Sequence, residues 1–403
     1  MASSLKNVIV VGGSFVGRTT AQEIARVIPT THRVLLIEPH THFHHLFTFP
    51  RFAIVPGHEH KAFIPYSGLF AAVPNPTAHS VVTARVVSVH ENKTLTLDRE
   101  WQGSRQISFE YLALATGTRL AEPAGMKDDD KASSVAYLQR HQADIKNAKS
   151  ILIAGGGAVG VQMATDLAEY YPDKEITVVQ SRPHLMPQFH KQFHEFVSKR
   201  FQDLGVKLVT GARLVVPPEG FPKSGPFDVQ LTNGTSVSTD FVVLATGQTP
   251  NTGLIQSLPG GAELINPANG FIRIKPTLQV ADDRYPEIFA VGDVADTGAR
   301  KAARPGAGQA AVVARNIQAL IEGRAADAET EKPGAAGIHI TLGLVSPLIL
   351  FWKYNIVFRN PDPAAGQTEP MIRERHDGSL DMNVEGMWDR MNVKPDEEAK
   401  YHL

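Results

Sequence analysis

The 403-residue sequence predicts an α/β protein of two parallel-sheet domains of one kind, the second inserted into the first, followed by a small C-terminal portion. Three observations carry this expectation. A strand, a glycine-rich turn and a helix-like pattern occur twice, over 8–28 and 150–171, about 140 residues apart. Two further apolar runs, 111–117 and 241–247, each end in Ala-Thr-Gly and follow their own glycine turn by a similar distance. A composition of 42% hydrophobic and 20% charged residues suits a globular chain and excludes a disordered one.

The first unit opens with Val8, Ile9, Val10 and Val11, turns through 12–17, continues as a helix to about Ile28, and returns in Val34 to Ile37, closing on Glu38. Apolar runs of this kind between glycine turns read as strands buried on both faces, and a helix leading back to a second such strand is a βαβ unit. The second unit repeats the pattern: strand 150–154, turn 155–160, helix to about Tyr171, strand 175–179. A later strand, 288–293, ends in Gly292 and Asp293 and precedes a helical pattern from about Gly306 to Ile321. These elements place a first domain at 1–120, an inserted one at 121–245, a return to the first over 246–330 and a C-terminal portion at 331–403. The Ala-, Glu-, Gly- and Pro-containing stretch 324–337 reads as a linker, and the Asp-Asp-Asp-Lys run at 128–131 as a solvated loop.

Forty Lys and Arg balance 41 Asp and Glu, so the chain lacks the basic footprint that a nucleic acid requires. Cysteine is absent, which excludes disulfides, thiolate nucleophiles, Cys-ligated zinc, iron–sulfur clusters and a redox-active dithiol. Any redox chemistry must therefore come from a bound cofactor. The N-terminus has no secretory pattern, Ala2 stands where myristoylation needs glycine, and the apolar run 338–352 is shorter than the ~20 residues of a spanning helix. The expectation is a chain that is not secreted and is cytoplasmic or peripheral to a membrane. His40, His42, His44 and His45 crowd one loop, but their spacing does not suit a metal site and no metal is expected.

The glycine turns carry the chemistry. In a Rossmann-like dinucleotide-binding domain the first glycine makes the tight turn, the second lets the backbone approach a pyrophosphate, and the third lets helix pack on strand. Gly155, Gly157 and Gly160 match fully. In the first turn Gly12 and Gly17 match while Ser14 takes the middle place, with Gly13 and Phe15 beside it; Ser14 is small, and its hydroxyl can donate to a phosphate. Glu38 lies about 21 residues past Gly17, where a carboxylate accepts from ribose hydroxyls. The second unit has Gln180, Ser181 and Arg182 there instead, so NADPH is at least as acceptable as NADH. Ala115, Thr116 and Gly117, with Gly247 in the second unit, close further strands in small-residue turns. Asp293, after Gly292, can accept from a sugar-alcohol hydroxyl. A nucleotide turn, an inserted nucleotide turn and a final Gly-Asp is the order of flavoproteins that bind FAD and a nicotinamide coenzyme.

The segments VVGGSFVG, FHHLFTFPR, ALATG, IAGGGAVGVQMATDLAEYYP, VVQSRP, VLATGQTPNT and IFAVGDVADTGARKAARPG resemble the apoptosis-inducing factor-like and ferroptosis suppressor protein-like branch of the pyridine nucleotide-disulfide oxidoreductases, with its fungal AMID-like members. The type II NADH dehydrogenases are a more distant likeness. The resemblance spans about residues 5–325. It implies a glutathione reductase-like arrangement in which Gly12, Gly17, Glu38, Arg51 and Asp293 bind FAD, the 155–160 turn holds the nicotinamide nucleotide over the flavin, and Phe43, His44 and His45 lie beside it. Members often carry Glu after the second turn; here Gln162 stands there, and its amide can still hydrogen-bond ribose or nicotinamide. The implied activity is hydride transfer from NAD(P)H to flavin and onward to a quinone-type acceptor, which singles out no catalytic residue. Gln309, expected in the first turn of its helix, lies where the helix dipole would face the flavin, while Lys301 and Arg304 read as solvated surface. The apolar stretch 341–358, with Trp352, Lys353 and Tyr354, reads as a core strand pair or as an interfacial patch that would bring a membrane or a lipophilic quinone to the site. The same motifs serve a biosynthetic dehydrogenase or monooxygenase acting on a small metabolite, or an effector flavoprotein that works through partners without turnover.

Overall fold

The computed structural model, which describes residues 5–223, 225–331, 333–344, 354–375, 378–395 and 401–402, holds two parallel sheets joined by a crossover between the domains. Strand β1 (Lys6–Val11) leads through the first glycine turn into helix α1 (Phe15–Val27) and back to β2 (His32–Glu38). A four-residue helix, α2 (Phe49–Phe52), precedes β3 (Ser80–Thr83), an antiparallel meander over 86–108, and β4 (Tyr111–Leu114). The chain leaves this sheet through β5 (Thr118–Arg119) and α3 (Lys131–Asn147). It then builds the second unit from β6 (Ser150–Ala154), α4 (Ala158–Tyr170), β7 (Glu175–Gln180), α5 (Lys191–Asp203), β8 (Lys207–Thr210) and β9 (Phe241–Leu244). β10 (Thr249–Pro250) pairs antiparallel with β5, so the outgoing and returning chain run side by side. Back in the first sheet come β11 (Ile288–Ala290) and α6 (Ala303–Ile321). An antiparallel sheet of β12 (Gly337–Thr341), β13 (Asn355–Arg359) and β14 (Met371–Glu374), with α7 (Glu385–Arg390), completes the described chain.

The first sheet has the order β11-β4-β1-β2-β3 and the second β8-β7-β6-β9, every pair parallel. In both, the strand before the glycine turn has its successor on one side and a later strand on the other. That reversal opens a crevice at the carboxyl end of β1 and of β6, the place where open α/β sheets take ligands.

Burial on both faces explains the unbroken apolar runs. Val8, Val10, Val34 and Leu36 pack on Ala21 and Ile24 of α1 and on Val313 and Ile317 of α6. Their neighbours Ile9, Val11, Leu35 and Ile37 pack on Val89, Leu95 and Leu97 of the meander. Each such side chain removed from water contributes about 1.5–3 kcal/mol. In the largest cluster, Ile151, Ile153 and Val178 of the second sheet join Phe49 and Phe52 of α2 and Ile340, Ile356 and Phe358 of the third sheet. Phe358 stacks on Phe193 of α5 at 4.3 Å, so the C-terminal sheet is fastened to the inserted domain.

Three sequence expectations change. The acidic run at 128–131 is the start of a helix: Asp130 is the N-cap of α3 and accepts from the Ser133 N–H, Asp129 pairs with Arg85 at 2.8 Å, and Lys131 donates to the carbonyls of Phe63 and Tyr401. Helix α6 begins at Ala303, because Pro305 is tolerated in a first turn whose N–H groups have no intrahelical partner. Gln309 therefore lies in its second turn, where it accepts from the Gly292 N–H at 2.8 Å. The stretch 341–358 contributes its two ends to paired strands, while Trp352 and Lys353 lie outside the described residues. The 324–337 stretch is without regular structure over its described residues up to 336 and enters β12 at Gly337, and Asn316 of α6 clasps Ala328 through its carbonyl and its N–H at 2.8 and 2.9 Å.

Candidate nucleotide-binding site

The two glycine turns are built alike. Gly12 and Gly155 have φ of +100° and +119°, a region open to glycine, and a Cβ on either would press on the carbonyl of Ala115 or of Ala245 at the end of the adjoining strand. A Cβ on Gly17 would collide with the Gly12 carbonyl and one on Gly160 with the Gly155 carbonyl, so each third glycine lets its helix lie on its own turn. A Cβ on Gly157 meets nothing within 4 Å, which leaves room in front of the α4 N-terminus. The next strand supplies a side chain to each turn. Glu38 accepts from the Gly13 N–H, and Gln180 from the Gly156 N–H at 3.1 Å.

One cavity of about 2680 Å³ joins the two domains and the C-terminal sheet. It exceeds the roughly 300–1,000 Å³ of a site for one small molecule, as two extended dinucleotides require. Three helices present their N-termini to it through Phe15, Ala158 and Ala303, and none of the three carries a side-chain cap. By contrast α3 is capped by the Asp130 side chain. An uncapped first turn leaves N–H donors and a positive dipole end, so three of them on one cavity favour anionic or electron-rich ligands.

Of the residues expected at cofactors, Gly12, Ser14, Phe15, Gly17, Glu38, Arg51, Ala115, Thr116, Gly117, Gln162, Gly247 and Asp293 line this cavity. Gly13, Gly155, Gly157, Gly160, Ser181, Arg182 and Gly292 are not among the lining residues. Asp293 sits in a single helical turn, Gly292–Val294; burial pushes its carboxyl up while Lys301 pulls it the other way, and among the described residues no hydrogen bond or salt bridge engages it. Lys301 is not solvated surface. It is half-buried in the lining, donates to the Ala295 carbonyl and lies 4.0 Å from the Phe271 ring, and burial lowers its pKa. Arg304 is exposed as expected.

Arg51 is fully buried and makes a bidentate pair with Asp166 of α4 at 2.9 and 3.0 Å, with further bonds to Thr341 Oγ1 and the Gly343 carbonyl at 2.9 Å. Its Nη1 is buried without a hydrogen-bond partner. Two histidines of the loop after Glu38 have the same character: His44 Nε2 and His45 Nδ1 are buried and unpartnered. Burial holds the His44 imidazole well below its usual range and lowers that of His45 to about 4, so both are neutral at pH 7. Phe15 packs edge-on against Phe43 at 5.0 Å and against Phe47 at 4.7 Å, and Phe47 is 54% exposed at the cavity wall. Unsatisfied buried polar atoms beside an aromatic wall fit a large ring system with its own donors and acceptors, as FAD has. Sequence reasoning missed the wall that Ser379, Met382, Asn383 and Arg390 add from the C-terminal portion; nothing in their local pattern signals it.

The chain matches the family model described as "Pyridine nucleotide-disulphide oxidoreductase" over residues 6–316. It is 33% identical to Fe-regulated protein 8 of Mycosarcoma maydis, the alignment covering 97% of this chain and 96% of that one. It is 28% identical to ferroptosis suppressor protein 1 of Mus musculus, over 84% and 86% of the two chains. Among solved structures, the sulfide:quinone oxidoreductase of Aquifex aeolicus shares the fold, with a TM-score of 0.70 at 16% identity over 98% of this chain and 94% of that one. The two-turn architecture and these likenesses agree: the chain belongs to the pyridine nucleotide-disulphide oxidoreductases, in an apoptosis-inducing factor-like branch, and is an FAD-containing, NAD(P)H-dependent oxidoreductase.

Proposed function

We propose that the protein passes reducing equivalents from NAD(P)H, through FAD, to a quinone-type acceptor. The observation that carries the reading is the convergence of three uncapped helix N-termini on one cavity. FAD and NAD(P)H, when bound, supply hydride chemistry that no side chain here could perform. The chain contributes position and field. The α1 N-terminus, with Ser14, receives the FAD pyrophosphate, Glu38 the adenosine ribose and Asp293 the sugar-alcohol chain. The Arg51 Nη1 and the neutral His44 and His45 offer polar contacts at the ring end. The α4 N-terminus, with Gly157, receives the coenzyme pyrophosphate, and Gln162 lies where its ribose or nicotinamide would reach. The α6 N-terminus faces the ring system, where its dipole favours electron-rich groups.

Two features support a quinone. Phe15, Leu46 and the exposed Phe47 give the cavity an aromatic and apolar wall suited to a flat ring. The Aquifex aeolicus neighbour is named for quinone, and a chain without cysteine has no thiol for the sulfide half of that name. The test is NADPH and NADH oxidation by the flavin-loaded chain with menadione or a short-tail ubiquinone, against a blank without acceptor. Quinone-dependent turnover with quinol as product supports the reading. Bleaching of the flavin by coenzyme with no acceleration by any quinone would leave the oxidoreductase standing and remove the quinone.

A further inference from the structure

Resting on the reading of the 155–160 turn as the coenzyme site, we infer that this site selects the coenzyme bearing a 2′-phosphate, through Gln180 and Arg182. The argument compares the two units of the same chain. Glu38 and Gln180 occupy equivalent places, each at the end of the second strand and each accepting from the middle N–H of its glycine turn. Both are buried, at 4% and 6% exposure. The difference is charge. Glu38 brings a carboxylate to the spot where ribose hydroxyls lie, and Gln180 brings an amide of the same reach with none. A phosphate ester on the 2′-hydroxyl carries about −1.5 to −2 at neutral pH, so a carboxylate beside it repels and an amide does not.

The amide also shapes the loop. While Gln180 Oε1 accepts from Gly156, its Nε2 donates to the His184 carbonyl at 3.0 Å, which closes 180–184 into a turn. The Gly211 and Ala212 N–H groups hold the Arg182 and Gln180 carbonyls from the next strand at 3.4 Å. Ser181 and Arg182 are exposed immediately after β7, next to the Gln180 that accepts from the α4 turn. The Arg182 side chain makes no hydrogen bond or ion pair among the described residues, and 180–184 contains no carboxylate. A free guanidinium and a hydroxyl next to an uncharged strand end are the donors a phosphate monoester takes. The corresponding loop after Glu38 differs: its His40 is engaged by the Glu38 carboxylate itself.

The test uses the full-length, flavin-loaded chain and the oxidised coenzymes NADP⁺ and NAD⁺, which differ only in the 2′-phosphate. Dissociation constants come from flavin fluorescence or titration calorimetry, so turnover plays no part. NADP⁺ should bind at least about tenfold more tightly than NAD⁺, the contribution of charge-assisted bonds to one phosphate. Arg182→Ala, an exposed change, should remove about tenfold from NADP⁺ affinity and leave NAD⁺ within about twofold. Gln180→Glu should invert the order, with retained flavin absorbance and circular dichroism as the check on folding. Equal affinities, tighter NAD⁺, or an Arg182→Ala loss common to both coenzymes would overturn this inference and leave the oxidoreductase reading intact. Failure of both coenzymes to bind a chain that retains FAD would overturn the two together.

Discussion

Replacing Asp166 by Asn should destabilise the protein by about 3–5 kcal/mol, the usual cost of breaking one side of a buried ion pair. Both partners are fully buried, and the variant would keep nearly the same volume while removing the only carboxylate bonded to Arg51 among the described residues. Two charge-assisted bonds at 2.9 and 3.0 Å are weakened, while the bonds from Arg51 to Thr341 and Gly343 survive. At about 1.5–3 kcal/mol for each bond to a charged group, the loss falls in the range stated. Urea unfolding at pH 7 with saturating FAD, followed by far-ultraviolet circular dichroism, measures it. The double change Arg51→Met with Asp166→Leu should recover to within about 1 kcal/mol of the parent, because it removes both charges from the interior together. It should still weaken FAD retention, since Arg51 Nη1 is lost. A loss under about 1 kcal/mol for Asp166→Asn, or a double variant less stable than the single one, would refute the reasoning.

Two further outcomes follow from the site. Gly157→Asp should fold normally, since its φ of −84° is ordinary and its Cβ faces open space; a carboxylate replacing glycine at this N-cap should add a few tenths of a kcal/mol of stability. The same charge in front of α4 should weaken NADP⁺ and NAD⁺ alike by at least about tenfold while FAD stays bound, measured by fluorescence titration. The flavin-free protein should also lose stability in mild acid. Because His45 is lowered from 6.5 to about 4 on folding, the unfolded chain binds the proton first. Its contribution is complete above about pH 6.5 and shrinks as pH falls toward 4, the loss reaching about 2 kcal/mol at pH 5. Urea curves at pH 7 and 5 measure this, and His45→Gln should flatten the difference.

Much of the architecture was legible in the residues because local rules and the final fold agree. Unbroken apolar runs, glycine at turns that need positive φ or close approach, and a helix after each turn are decided within about 30 residues and do not depend on what surrounds them. Glu38 and Gln180 were legible for the same reason: each lies a fixed distance along one βαβ unit. The start of α3 was misread because an acidic run serves equally as solvated loop and as N-cap, and only the following helix separates the two. The start of α6 lies three residues before the expected Gly306, since a first turn tolerates Pro305.

What the sequence alone determined is that two nucleotide turns occupy one chain without a thiol, and hence the class of chemistry. Tertiary structure decided which groups meet. Arg51 and Asp166 are 115 positions apart, and nothing near either signals the pair. The three helix N-termini converge, and Lys301 is drawn into the cavity lining, because strand order turns two separate units and a C-terminal sheet toward one crevice. Charge and glycine placement are properties of a segment; desolvation and convergence belong to the packed whole.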